Sequence, residues 1–314
     1  MKKFILLLFI VAGTFVHAQN DKVSILIDAG HGGKDPGHLP INSSSLQEKV
    51  LALEIALKVG NYLKHNLSNV EVAYTRTGDT YPSLDNRVKQ ANNGNYDLML
   101  SIHINGNPNT AIYGTETLIH NFQAKKSYKW AKLIEYQFKK RAGRKSRGVK
   151  TSDDLGHSLQ ILKFTKMPTV IVECGFITNT TEANYLNSQY GQEIIASAIF
   201  RGTREFVKNQ YPDINFNPPE KEKNNFDDSK DDNLSSKNKP YYTIQIMASI
   251  DPVALDIIEF KNLERPVERV EIETTSSYKF KYYVGEFTTK KEAKVVQKEV
   301  QSKGFVDAFI IYHK

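Results

Sequence analysis

Ile25-Leu-Ile-Asp-Ala-Gly-His-Gly-Gly33 is the stretch that decides the fold. Ile25 to Asp28 read as a short buried strand, apolar and β-branched and stopped abruptly by small residues. His31 follows where the strand ends, among glycines that leave its imidazole uncrowded and let the backbone bend sharply. In an open α/β sheet, chemistry collects at the carboxyl ends of strands. His31 is therefore a candidate first ligand of a metal site, and its partners should lie at later strand ends.

Two later strands meet that requirement. Residues 97–102 (Asp-Leu-Met-Leu-Ser-Ile) end at His103, with Asn105 beyond, and residues 169–172 are closed by Glu173, Cys174 and Gly175. Between His31 and these strands, residues 46–63 carry a helical stripe of Leu46, Val50, Leu53, Leu57 and Leu63, with Ser43 to Ser45 as candidate N-caps. Glu48 falls in its first turn. The helix dipole favours an acid there without any further role, yet the same carboxylate can point back over the sheet edge toward His31. Spacing does not choose between the two.

The rest of the first two hundred residues keeps the alternation. A strand at 70–75 ends in Arg76, a helix at 84–93 carries Arg87, a strand spans 114–119, and helices span 127–141 and 192–208. Strands alternating with helices predict an α/β layer, a mostly parallel sheet flanked by helices, with one cleft collecting His31, His103 and Glu173. Residues 211–240 are rich in Asn, Asp, Lys, Ser and Pro and read as a disordered linker. Beyond it, strands at 241–248, 267–273, 279–284 and 306–312 with helices at 252–263 and 290–303 predict a small α+β ferredoxin-like domain, 241–314.

The first residues read as a processing signal. Lys2 and Lys3 precede an apolar run at 4–11 and the small-residue site Val16-His17-Ala18, so 1–18 is expected to be removed on export, leaving no stable membrane anchor and a catalytic domain at 19–210. Of 314 residues one is cysteine, Cys174, which excludes a disulfide within the chain. The net charge of +7 admits a polyanionic partner, but the basic run from Lys139 to Lys150 reads as a solvated helix end and loop. The glycines around His31 fit neither phosphate-loop pattern, and neither nucleotide nor nucleic acid is an expected ligand.

Two imidazoles and one carboxylate make a zinc set whose fourth place stays open for water. A second carboxylate is then needed to take the water's proton and pass it to a leaving nitrogen, and Glu173 is placed for that role. Asp28 reads as an outer partner of a ligand histidine or as a turn cap, and Arg76 and Arg87 as groups that order a substrate's carboxylates or tie loops together, the structural role being the favoured one. A rival reading uses Cys174 as nucleophile. A neighbouring carboxylate would raise its pKa, so a buried structural thiol is the expectation.

Asp28-Ala-Gly-His-Gly-Gly33 with Asp35-Pro-Gly37, Glu48-Lys49, Thr75-Arg76, Leu84 with Arg87, Ser101-Ile-His-Ile-Asn105 and Val172-Glu-Cys-Gly-Phe-Ile-Thr-Asn179 together resemble the zinc-dependent N-acetylmuramoyl-L-alanine amidases of the amidase_3 type. The resemblance covers about 23–207 and implies the family's α/β fold, Zn2+ held by His31, Glu48 and His103, and Glu173 as catalytic residue. It implies a peptidoglycan hydrolase cutting between N-acetylmuramic acid and L-alanine, exported to the periplasm or the division septum, with a protein activator as a further partner. Cys174 and the loop 37–47 depart from the family's usual look without removing a ligand. The C-terminal motifs Tyr241-Tyr-Thr-Ile-Gln-Ile246, Tyr282-Tyr-Val-Gly-Glu-Phe287, Glu292-Ala293 and Gly304-Phe305 resemble a SPOR domain, which implies binding to denuded glycan. The alternative of a non-catalytic wall-binding scaffold would be marked by a lost ligand or glutamate, and all four residues are present.

Overall fold

The computed structural model describes residues 22–43, 45–216, 240–272 and 278–313. The expected signal at 1–18 and residues 217–239 of the expected linker lie outside them. The chain runs β1 (Val23–Ala29), α1 (Glu48–Asn66), β2 (Val70–Tyr74), α2 (Leu84–Asn93), β3 (Leu98–Asn105), β4 (Thr115–Ile119) and α3 (Lys125–Lys140). It continues through β5 (Ser146–Thr151), α4 (Ser152–Leu155), α5 (Gln160–Phe164), β6 (Thr169–Phe176), α6 (Thr180–Asn187) and α7 (Gln189–Gln210).

The six strands lie in the order β2-β1-β3-β6-β4-β5, parallel throughout except where β4 runs against β6. Alternate residues of β1 go to opposite faces: Ile25 and Ile27 join the core under α1, α3 and α7, while Leu26 packs with Met99, Ala91 and Ile161. Both faces are thus covered, which is why the strand reads as a continuous apolar run.

Helix starts explain much of the rest. Ser83, Asn179 and Ser188 cap α2, α6 and α7 with side-chain acceptors. Of the expected caps, Ser43 and Ser45 are not used, Ser44 lies outside the described residues, and the N-cap is Gln47. The amides of Glu48 and Lys49 reach the carbonyls of His38 and Pro36 at 3.4 and 3.1 Å, so the preceding loop supplies the acceptors and α1 begins at Glu48.

Two further expectations are corrected. β3 runs on through His103 to Asn105 and β6 through Glu173 to Phe176, so neither residue terminates its strand; a register irregularity between His103 and Asn105 absorbs the mismatch. β5 goes unrecognised in the basic sequence Ser146-Arg-Gly-Val-Lys-Thr151, whose strand pairing is supplied by β4. Tyr211, Ile214 and Phe216, placed in the linker by composition, pack on the main core, with Phe216 4% exposed.

The second unit comprises β7 (Tyr241–Ser249), α8 (Ile258–Lys261), β8 (Val267–Glu271), β9 (Phe280–Phe287), α9 (Lys290–Ser302) and β10 (Phe309–His313). Its sheet order, β10-β7-β9-β8 with every pair antiparallel, is the ferredoxin-like plan. α8 is shorter than the expected helix at 252–263, and ahead of it the Val253 amide donates to the Tyr282 hydroxyl at 2.6 Å.

The two units share packing. Tyr190 of α7 is 5% exposed inside the core of the second unit, with its ring 5.1 Å from that of Phe305. Asp307 faces Arg141 at 3.3 Å and Arg201 at 3.7 Å across the same junction. Tyr190→Ala is expected to cost about 3 kcal/mol of stability, as for an aromatic deleted from a core. Hydrogen exchange of the full chain checks it: protection should fall first in β7, β9 and β10.

Candidate metal and catalytic site

The loop after β1 is shaped by what it must pass. A Cβ at Gly30 would lie 2.4 Å from the His103 ring, and one at Gly37 would lie 2.5 Å from a Glu48 carboxylate oxygen. His31 itself takes the left-handed backbone conformation (φ 58°), uncommon for a residue with a side chain. Two buried arginines hold this turn. Arg76, 4% exposed, donates to the carbonyls of Ala29 (2.9 Å), Gly30 (2.7 Å) and Lys49 (2.7 Å). Arg87, 2% exposed, donates to the carbonyls of Ala29 and His31 and pairs with Asp28. Both are structural ties, as expected.

Asp28 serves neither of its expected roles. Its carboxylate accepts from Thr75 (2.7 Å), Ser101 (2.6 Å) and Arg87, all turned away from metal ligation. Burial pushes its pKa up, but the Arg87 charge and the two hydroxyls outweigh that and leave it below the usual aspartate range. The orienting partner of His31 is Asp35, whose oxygen lies 2.8 Å from His31 Nδ1. That contact fixes the tautomer and leaves Nε2 to face inward. The only signal for it was Asp35's place four residues after His31, inside a turn closed by the Gly32–Asp35 backbone bridge.

Glu48 turns back over the sheet edge. Its Oε1 lies 3.0 Å from His31 Nε2 and 3.1 Å from His103 Nδ1, and the amides of Ile104 (3.0 Å) and His38 (2.7 Å) steady the two oxygens. Burial alone would raise its pKa; the two imidazoles, His103 and His31, hold it well below the carboxylate range. One ligand atom from each of His31, Glu48 and His103 falls within 4.8 Å of the others. A fixed carboxylate and two imidazole nitrogens converging in this way fit a zinc ion.

Glu173 stands directly opposite His103 across β3 and β6, and opposite Glu116 across β4 and β6. Opposed residues share a sheet face, so the three form a row across it. One Glu173 oxygen is sealed from solvent with no hydrogen-bond partner. Burial, then the charges of Glu48 and Glu116, push its pKa well up. Glu116 accepts a hydrogen bond from Asn105 (3.0 Å) and is ion-paired with the guanidinium of Arg147 (3.2 Å). Neither Glu116 nor Arg147 stood out in the sequence, because a row of this kind depends on strand register. Cys174 points to the opposite face into the main core, fully buried, and its thiol is pushed well up by burial and by Glu173.

A mostly parallel α/β sheet thus presents a His–Glu–His donor set that could hold a metal ion, with a half-buried glutamate adjoining it. Residues 25–205 match the Amidase_3 family, N-acetylmuramoyl-L-alanine amidase, and the chain belongs to that family. It is 36% identical over 186 residues to the N-acetylmuramoyl-L-alanine amidase LytC of Bacillus subtilis (strain 168); the match takes in 59% of this chain and 36% of LytC, so it spans about a third of that relative. Among solved structures, the N-acetylmuramoyl-L-alanine amidase of Clostridium difficile 630 superposes with a TM-score of 0.57 at 30% identity, covering 60% of this chain and 99% of that one. The CwlD amidase of Clostridioides difficile, solved in complex with the GerS lipoprotein, gives 0.55 at 30% identity, covering 60% and 100%. Among the described residues no helix is long and apolar enough to cross a membrane.

Proposed function

We propose that this chain is a zinc-dependent N-acetylmuramoyl-L-alanine amidase that cuts the amide between the lactyl group of N-acetylmuramic acid and L-alanine of the stem peptide. The observation that carries this reading is the convergence of His31, Glu48 and His103 beside a half-buried Glu173 with one sealed, unpartnered oxygen, within the family's fold. Zinc held by the three side chains would lower the pKa of a water and polarise the substrate carbonyl.

The chain's own residues supply the rest. Asp35 holds His31 in the tautomer that presents Nε2. The Ile104 and His38 amides hold Glu48 pointed inward. Glu173 takes a proton from the attacking water as its oxygen bonds to the carbonyl carbon, then delivers it to the departing L-alanine nitrogen as the C–N bond breaks. A carboxyl whose pKa is pushed up by burial and two neighbouring carboxylates is suited to hold that proton between the two steps.

The proposed organisation is a signal at 1–18, a catalytic domain at 19–210 extended by the packed residues to 216, a linker, and a SPOR-like domain at 241–314 that holds denuded glycan. The ferredoxin-like strand order of the second unit supports the last assignment. Export to the periplasm, action at the division septum and a protein activator complete the reading; the activator is supported by the CwlD relative's complex with a lipoprotein.

Muropeptide release from purified sacculi tests the reaction and the metal together. Stem peptides beginning at L-alanine are expected, abolished by a chelator and restored by zinc. Release that survives chelation would overturn the metal assignment.

A further inference from the structure

The arginines around the site differ in how much of them is committed. Arg76 and Arg87 are buried and spent on backbone carbonyls and Asp28. Arg144 pairs with Glu182 at 2.7 Å and lies over the Tyr185 ring. Arg147 is held differently. Its Nε is sealed from solvent and ion-paired with a Glu116 oxygen at 3.2 Å without hydrogen-bond geometry, and its guanidinium lies 5.2 Å from the centroid of the buried Phe176 ring. The side chain nevertheless keeps 29% of its surface exposed, and among the described residues neither terminal nitrogen has a protein partner. The result is a guanidinium with one edge beside a carboxylate and one face over a ring, and with its two-pronged end open.

Its place in the sheet gives that end a direction. Arg147 lies at the irregularity where β5 pairs β4 around Glu116; Glu116 opposes Glu173, and Glu173 opposes His103. Arg147 is therefore two strands from the candidate general base, roughly 10 Å at ordinary strand spacing. An extended peptide advances about 3.5 Å per residue, so the residue after L-alanine can bring a carboxylate across that distance from the scissile amide. A planar guanidinium with both outer nitrogens open matches a carboxylate in a two-point contact, which a lysine cannot reproduce.

We infer that Arg147, anchored by Glu116 and Phe176, is the specificity residue that binds a carboxylate on the stem-peptide residue following L-alanine. The inference rests on the amidase reading. It also separates Arg147 from Arg141, Arg144 and Lys145 of the same basic run, since the first two are paired elsewhere and Lys145 lies over Tyr113.

The test compares two muramoyl-L-alanyl peptides that differ only in bearing a carboxylate or a carboxamide on that next residue. The wild-type full chain is expected to favour the carboxylate about ten- to a hundredfold in kcat/KM, the range of one charged hydrogen-bonded contact, through KM more than kcat. R147Q should bring the ratio close to one. R147K, which keeps the charge beside Glu116 without the fork, should lose most of the preference. A merely structural Arg147 would depress both substrates together and leave the ratio in place. Equal use of both peptides by the wild type, or full preference retained in R147K or a folded R147Q, overturns the assignment. The same peptides titrated onto full-length E173Q read recognition without turnover: preference there, with no turnover by the wild type on either peptide, would sink the amidase reading and leave Arg147 standing. No preference in that titration would sink the role of Arg147 alone.

Discussion

Glu173→Gln is expected to lower turnover by about 10²- to 10⁴-fold, the range for removing a positioned acid–base group, while zinc content stays at the wild-type level. His103→Ala is expected to lose turnover and zinc together. The two variants separate because their side chains occupy neighbouring places with different work. His103 Nδ1 lies 3.1 Å from the Glu48 oxygen at the centre of the donor set. Glu173 is beside that set without belonging to it, with one oxygen unpartnered. Gln is close in shape to Glu, so the row from His103 to Glu116 should survive the exchange and only the proton-carrying capacity should go. Metal analysis of the purified variants beside muropeptide release gives the answer. Zinc loss from Glu173→Gln would mean that Glu173 helps hold the ion, and the division of roles would have to be redrawn.

Which parts of this site the sequence could reveal follows from the range of the interaction concerned. β1 and its glycine turn are local: apolar residues stop, small residues begin, and His31 has nowhere to be but at the sheet's edge. Glu48 is different. A first-turn glutamate is accounted for by the helix dipole, and only the fold shows its oxygen between two imidazoles. His103 and Glu173 were legible as residues near the carboxyl ends of apolar runs, but not as directly opposed members of paired strands, since register between strands 70 residues apart leaves no local mark. Glu116 and Arg147 escaped for the same reason, and β5 because its basic sequence looks solvated until β4 pairs with it. Tyr190 reads as one more residue at a helix start; its burial depends on a unit that begins fifty residues later. Asp28 shows the converse error. Proximity in sequence to His31 invited a role in metal binding, and the buried Arg87, 59 residues away, claims it instead.

Arg87→Ala should be the most destabilising single change near the site, at about 3–5 kcal/mol, because it leaves the Asp28 carboxylate buried without its counter-charge. Asp28 is 1% exposed, and Thr75 and Ser101 offer hydroxyls but no positive charge. For a domain of this size the melting temperature should fall by roughly 10 °C or more. Loss of the guanidinium also frees the carbonyls of Ala29 and His31, which fix the left-handed turn at His31, so zinc affinity should weaken by about 10- to 100-fold as for a lost outer partner. The pH dependence distinguishes a charge effect from lost packing. Asp28 has a folded pKa below its ordinary value of 3.8, so the pair's stabilisation is full above that value and disappears as pH falls through the lower, folded value. The stability gap between wild type and Arg87→Ala should therefore be constant near neutrality and narrow in acid, where protonated Asp28 no longer needs a partner. A gap that stays constant into acid would assign the loss to packing around Arg87. Asp28→Asn offers a second check: it leaves Arg87 buried against a neutral amide, and should destabilise while keeping the guanidinium's bonds to the two carbonyls.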